Sequence, residues 1–506
     1  MPTVARTLHV AAAFLLLATG ASQAADATNT SSGTGAFSSN TTGYSNSAFG
    51  YYSLHFNTTG YFNSAFGAGS LDFNTTGYSN TAMGSFALYG NNTGYLNTAL
   101  GAATLYSNTT GYSNTALGVY SLYSNTTGYQ NTAVGAGTLQ YNLIGYANTA
   151  CGFSALSSNT SNFNTAYGNA AMEKNTTGFS NTAIGSNTLQ SNTTGYANVA
   201  TGAGALYGNT TGTSNTASGY SALSFNTTGI GNTTTGYYAM ESNTTGNYNT
   251  ATGYDSLSTA TTGTYNVADG YEALLGTTTG FRNTAQGALS LSKNTTGSYN
   301  IALGYNAGST LTTGAYNIDI GSPGVAGETK TIHLGTQGTQ LKSYVAGIFG
   351  VTATKGVPVY VTSTGQLGTL TSSVQYKKNI RDMGRTSNAL LSLRPVTYQY
   401  KSAIDPDGTP QFGLIAEEVE KVLPDLVVHD EKNEIYTVRY EAVNAMLLNE
   451  FQKQHETIVD QEKALAEERS HAKAQDRLIA EQQRQLQALT SRLDRLEQAA
   501  SSDRKR

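Results

Sequence analysis

Residues able to do chemistry are sparse in this chain of 506 residues. Charged residues make up 11% of it, and a net charge of -4 leaves no electrostatic footprint for nucleic acid. Asp72, Glu173, Glu241, Asp255, Asp269 and Glu272 read as scattered acids. Glycoside cleavage needs two carboxylates facing one bond, so this dispersion argues against it. His333 sits in Thr331-Ile332-His333-Leu334-Gly335 with no second ligand at metal spacing. It reads as structural, and no metal or cofactor is expected. Cys151, the single cysteine, cannot form an intrachain disulfide. It stands where other repeats carry Leu100, Leu117 or Val134, and so reads as a buried apolar substitute. Most charges lie from Lys377 onward, where Ser372, Lys377 and Lys378 fall close together. Taken alone, these three are the start of a strand and a solvated basic face.

The element that fills most of the chain is a repeat. From Asn46 to Asn317, 17 segments such as Asn114-Thr115-Ala116-Leu117-Gly118 recur every 17 residues, with one interval of 16 between Asn148 and Asn164. Each continues to a Leu or Met such as Leu122, then to a corner of the form Asn-Thr-Thr-Gly-Tyr. A short repeat with fixed small residues fits a parallel β-solenoid whose coils stack about 4.8 Å apart. Ala116 and Leu122 and their equivalents should fill its interior. Glycine at the corner should supply positive φ, and asparagine should satisfy backbone donors there. The residue after the alanine, here called x, is apolar from Phe49 to Ile184 and polar from Thr201 to Gln286. If x faces partner chains, their interface is dry at one end and polar at the other, and Asp269 is read as solvated. Tyr44 to Tyr146 should form one stacked column. The many Asn-x-Thr tripeptides are explained by turn geometry before glycosylation.

Flanking segments set the context. Residues 1–24 read as a secretory signal, with Arg6, an apolar run from Val10 to Ala18 and Ser22-Gln23-Ala24 before the cut. The chain is therefore expected to be exported, to a cell surface or beyond, and no later run is apolar enough to span a bilayer. Residues 25–39 read as a linker, 40–321 as the repeat array and 322–371 as a β-rich neck. Residues 456–500 read as a coiled coil and 501–506 as a tail. The coiled coil rests on a seven-residue period through Phe451, Ile458, Leu465, Ala472, Ile479, Leu486 and Leu493.

Between neck and coiled coil lie Ser372-Ser373-Val374-Gln375-Tyr376-Lys377-Lys378-Asn379-Ile380, Leu393-Arg394-Pro395-Val396, Phe412-Gly413-Leu414-Ile415-Ala416-Glu417-Glu418-Val419 and Val438-Arg439-Tyr440-Glu441. Residues 372–455 thereby resemble the endosialidase-type intramolecular chaperone, a self-cleaving trimerisation domain at the ends of tail spikes and fibres. The resemblance implies a small α+β domain, a homotrimer, and a serine-lysine dyad of Ser372 and Lys377 acting in cis. Ser373 stands where that family usually has aspartate, and Gln375 where it has arginine. The repeat array more loosely resembles the head of trimeric autotransporter adhesins.

The sequence thus reads as a mainly β, trimeric, adhesin-like fibre with a C-terminal assembly chaperone and possible autocatalytic serine peptidase. A surface glycan or host receptor is its expected outside partner. The competing readings are an ice- or glycan-binding solenoid, a peptidase acting in trans, and a fibre-derived surface protein that does not cut itself.

Overall fold

The computed structural model describes residues 28–430 and 432–503. The expected signal segment lies outside them, as does half of the expected tail. The chain divides into two compact units, one running through Ser343 and one beginning at Tyr344. That boundary falls inside the expected neck.

In the first unit, nineteen three-residue strands from Thr30–Ser32 to Ile332–Leu334 form one parallel sheet. Each strand pairs with the next in sequence, and Thr115, Ala116 and Leu117 lie opposite Thr132, Ala133 and Val134. This is the expected β-solenoid. The strand ends at Gly118, whose φ of +127° excludes most L residues and turns the chain. Ala116 points inward and meets Leu122, and both columns are buried from coil to coil. The leucines adopt the left-handed conformation, with φ of +52° at Leu105, +49° at Leu122 and +50° at Leu139. That costs about 1–2 kcal/mol each. Burying a leucine returns about 1.5–3 kcal/mol, so burial wins.

Two columns of asparagine run beside this apolar core. At the corner, Asn108 Nδ2 donates to Oδ1 of Asn91 one coil back at 2.7 Å and to its own Gly111 carbonyl at 3.0 Å. At the strand entry, Asn114 Nδ2 donates to Asn97 Oδ1 at 3.1 Å and to Gly128 O at 2.9 Å. Asn114 Oδ1 in turn accepts from Asn131 N and Nδ2. Every polar atom of this buried side chain is therefore satisfied, which is the condition for burying an amide at all. Ladders of this kind explain why a nearly uncharged rod is rich in asparagine.

The corner glycine has a different role from the expected one. Gly111 and its equivalents are not in the positive-φ set. A Cβ at Gly111 would instead lie 2.3 Å from Asn108 Oδ1 and 2.4 Å from Gly128 O, so close approach between coils excludes a side chain. The array also extends past both expected ends. Residues 25–39 are not all linker: Thr30–Ser32 pairs with Ser47–Phe49, and Asn46 Nδ2 bonds Asn29 Oδ1 as in later coils. Ser31 and Ser32 replace Ala and x there, which hid the repeat. At the other end Ile332–Leu334 pairs with Ile318–Ile320, only 14 residues behind. The short interval at Asn164 is absorbed in the corner, where Ser161 O takes the bond from Asn148 Nδ2 that a glycine carbonyl takes elsewhere. Strand register continues unbroken as Ala150 meets Ala166.

The second unit is sparser. Tyr360–Val361 pairs with Leu367–Gly368. The run Tyr344 to Ile348 forms no strand, having no partner segment to bond. Val396–Tyr398 pairs with Gln411–Gly413 across a turn in which Asp405 accepts from Thr409 N at 2.7 Å and Asp407 N at 3.2 Å. Helix α1, Ala416–Val422, stops before Pro424 as expected. Val427–His429 pairs with Ile435–Val438, and a helix α2 then runs unbroken over Tyr440–Asp503. Val419, Leu426, Val427, Val438 and Met446 form the core of this unit.

Candidate functional site

Ser372 and Lys377 are brought together by a single turn. Ser373 precedes a 3-10 turn at Val374–Tyr376, closed by Tyr376 N to Ser373 O at 3.1 Å and Lys377 N to Val374 O at 3.1 Å. The turn folds five residues back, and Lys377 Nζ donates to Ser372 Oγ at 3.0 Å. Both side chains are exposed in the single chain. A lysine donating to a serine holds its proton. It becomes a base only where burial or neighbouring cations remove that proton, and the isolated chain offers little of the former.

The domain behind this turn is held by two polar clusters. Arg394 grips Glu418 on α1 through Nε to Oε2 at 3.1 Å and Nη2 to Oε1 at 2.5 Å. The guanidinium holds the Glu418 carboxyl below the usual carboxylate range. Ser387, fully buried, donates to Glu450 Oε1 at 2.5 Å and accepts from Asn449 Nδ2 and Lys453 Nζ. Lys453 also donates to Glu450 Oε1 at 2.6 Å. This cluster fixes the start of α2 to residues 386–392. It was missed in the sequence because Ser387 lies 63 residues from its partner Glu450. Ser387 is a second serine beside a lysine, but its hydroxyl proton is committed to Glu450.

On the solenoid the x column points outward: Phe66, Met83, Leu100, Leu117, Tyr167 and Ile184 are 40–45% exposed. Cys151 lies in that column, half-buried between Val134 and Tyr167, and not in the coil interior. Tyr44, Tyr61, Tyr78, Tyr95, Tyr112, Tyr129 and Tyr146 stack as expected, with ring centroids 4.7–5.1 Å apart. A second stack joins Tyr220, Tyr237, Tyr254 and Tyr271. Beside it the acids are not scattered, since Asp255 and Glu272 share one repeat position in adjacent coils. Burial pushes the Asp255 carboxyl up, and the Glu272 charge raises it further. Glu241 is raised in the same way by burial and by Asp255. His333 is not without partners either: Asp319 and Glu328 face it at 2.9 Å and 3.3 Å. Intervals of 9 and 5 residues match no simple spacing rule, and the shortened last coil creates them.

Residues 372–428 match the family described as chaperone of endosialidase. In a comparison with curated proteins, none matched the chain. A repeat solenoid followed by a chaperone domain of this family is the organisation of a tail-fibre-like protein. Among the described residues no helix is long and apolar enough to cross a membrane.

Proposed function

We propose that the protein is an exported, adhesin-like homotrimeric fibre whose C-terminal domain chaperones assembly and then cuts the chain between Thr371 and Ser372. The Lys377 to Ser372 contact of 3.0 Å carries this reading. Ser372 Oγ attacks the Thr371 carbonyl carbon, and a neutral Lys377 takes the hydroxyl proton. The C–N bond breaks, the freed Ser372 nitrogen receives the proton from Lys377, and an ester remains. Water hydrolyses that ester to release the two fragments.

Exposure of the dyad in one chain fits a reaction that waits for partners. Leu341, Tyr344, Val345, Ile348, Phe349 and Val351 are also exposed, a run of apolar residues that a soluble monomer rarely leaves bare. The heptad residues Phe451, Ile458, Leu465, Ile479, Leu486 and Leu493 on α2 are exposed as well, as a coiled-coil seam is before its partners arrive. Burial by two further copies would cover these residues and the Ser372–Lys377 pair together. Intact-mass analysis of the purified chain tests the cut, and light scattering tests the trimer.

A second reading concerns the rod. The stack Tyr220, Tyr237, Tyr254 and Tyr271, edged by Glu241, Asp255 and Glu272, presents a row of ring edges and phenol hydroxyls with hydrogen-bond acceptors beside them. That combination suits a surface glycan. Glycan-array binding that disappears in Tyr237→Ala would support it.

A further inference from the structure

The last coil of the solenoid breaks its own rule. Where Ala285 and Ala302 fill the interior position, the next coil has Asp319, fully buried and opposite His333 in the final strand. An acid would be excluded from that column unless something paid for it. His333 Nδ1 lies 2.9 Å from Asp319 Oδ1 and 3.3 Å from Glu328 Oε1. Yet Asp319 Oδ2, also buried, has no hydrogen-bond partner. Burial pushes the Asp319 carboxyl up, and the contact with His333 offsets only part of that.

The space around the free oxygen is kept open by glycine. Gly324 has φ of +70°, and a Cβ there would sit 2.9 Å from Asp319 Oδ2, 3.2 Å from Asp319 Oδ1 and 3.2 Å from Glu328 Oε1. Gly308 leaves a second opening, its Cβ position lying 3.3 Å from Asp319 Oδ2. One nitrogen and two carboxylate oxygens, one from each of the three side chains, lie within 4.8 Å of one another. Ligand bonds of about 2.0–2.2 Å at tetrahedral or octahedral angles place neighbouring donor atoms about 3 Å apart. The two contacts of His333 already have that spacing.

We infer that Asp319, Glu328 and His333 bind one divalent transition metal ion, of which Zn2+ is the best match, at the C-terminal end of the solenoid. An imidazole with two carboxylates is a borderline donor set that suits zinc better than the all-oxygen sets of magnesium or calcium. The ion replaces the proton on His333 Nδ1, which requires the tautomer with hydrogen on Nε2. It also gives Asp319 Oδ2 the partner it lacks. All three ligands come from one chain, so binding does not wait for assembly. In structural terms the ion seals the open end of the coil stack, where no further strand continues the sheet.

The experiment uses the tag-free mature chain, dialysed against EDTA and titrated with ZnCl2 in a calorimeter, with bound metal counted by mass spectrometry. Wild type should retain one zinc equivalent that Asp319→Ala lacks, and its unfolding temperature should rise with zinc while the variant's does not. Asp319→Ala restores the residue that this column carries at Ala302, so it should fold. His333→Gln is the second variant, and should weaken binding at least tenfold. Zinc uptake equal in wild type and both variants would assign the metal to another histidine and overturn the inference. No uptake by wild type would leave the three residues as an ion-paired cap and overturn it equally.

Discussion

Asn114 donates its side-chain amide to Asn97 one coil behind while its own Oδ1 accepts two bonds from Asn131 one coil ahead. One residue therefore serves three coils. Asn114→Ala leaves the Asn131 N and Nδ2 groups without that acceptor and should cost about 2–6 kcal/mol, taking about 1–3 kcal/mol for each unsatisfied buried group. Chemical denaturation of a solenoid fragment within the full chain, followed by circular dichroism, measures it. An exposed neighbour such as Thr115→Ala should cost under about 0.5 kcal/mol.

Glycines of different kinds should respond differently to one methyl group. Gly111→Ala forces a Cβ to 2.4 Å from the Gly128 backbone and should cost more than about 3 kcal/mol. Gly137→Ala meets nothing nearer than 3.5 Å, and Ala103 and Ala170 already hold positive φ at the same repeat position. Its cost should stay near about 1–2 kcal/mol. Equal shifts in unfolding temperature would contradict the close-approach account of the corner.

Ser372→Ala should leave the chain at full mature mass without changing its oligomeric state, since only a hydroxyl is lost. Lys377→Met should do the same by removing the base. Because Ser373 and Gln375 replace the usual acid and base, wild-type cutting should be slow, read as the fraction cleaved over days by intact mass. A full-length wild type after prolonged incubation would remove the peptidase from the proposal and keep the chaperone.

The cluster around Ser387 should make the second unit sensitive to acid. Hydrogen bonds from Lys453 and Ser387 hold the Glu450 carboxyl below its ordinary value. A depressed carboxyl contributes stability that is fully present above its unfolded pKa, about 4.3, and is lost as pH falls through the folded value. Glu450→Gln should therefore be less stable than wild type at pH 7, and the gap should narrow below about pH 4.3. Urea melts at the two pH values decide it.

Cys151 reports which face of the rod meets partners. In one chain its side chain is half-buried. If the x column lies between chains, a thiol reagent should label the assembled fibre at least tenfold more slowly than a monomer obtained by deleting residues from Phe451 onward. Equal rates would place the x column against solvent.

How far the sequence could be read depended on range. Ala116 and Leu122 were legible as interior residues because identity at a fixed period is itself a packing signal. So were the stop at Pro424 and the turn at Asp405, where backbone rules act locally. Ser372 and Lys377 were legible only through resemblance, yet five residues and one turn were enough to join them. Left-handed leucines were not legible, because propensity disfavours them and only stacking against neighbouring coils selects that conformation. The outer coil at Thr30 escaped notice because Ser31 carries none of the repeat's apolar identity. Asp319 and His333 could not be paired in advance, since the coil between them is three residues shorter than the 17-residue period that sets the array.

The direction of the solenoid's hydrogen bonds has a mechanical consequence. Thr115 N bonds Asn131 O and Leu122 N bonds Thr138 O, so backbone bonds join each coil to its neighbours along the stacking direction. Tension applied to the two ends of one solenoid loads those bonds a coil at a time, as a zipper and not as a lap joint. Each coil that opens releases 17 residues, or roughly 60 Å of slack at about 3.5 Å per residue. A pulled rod would thus lengthen in equal steps at nearly constant force, dissipating a sudden load that a stiff tether would pass on to whatever it holds.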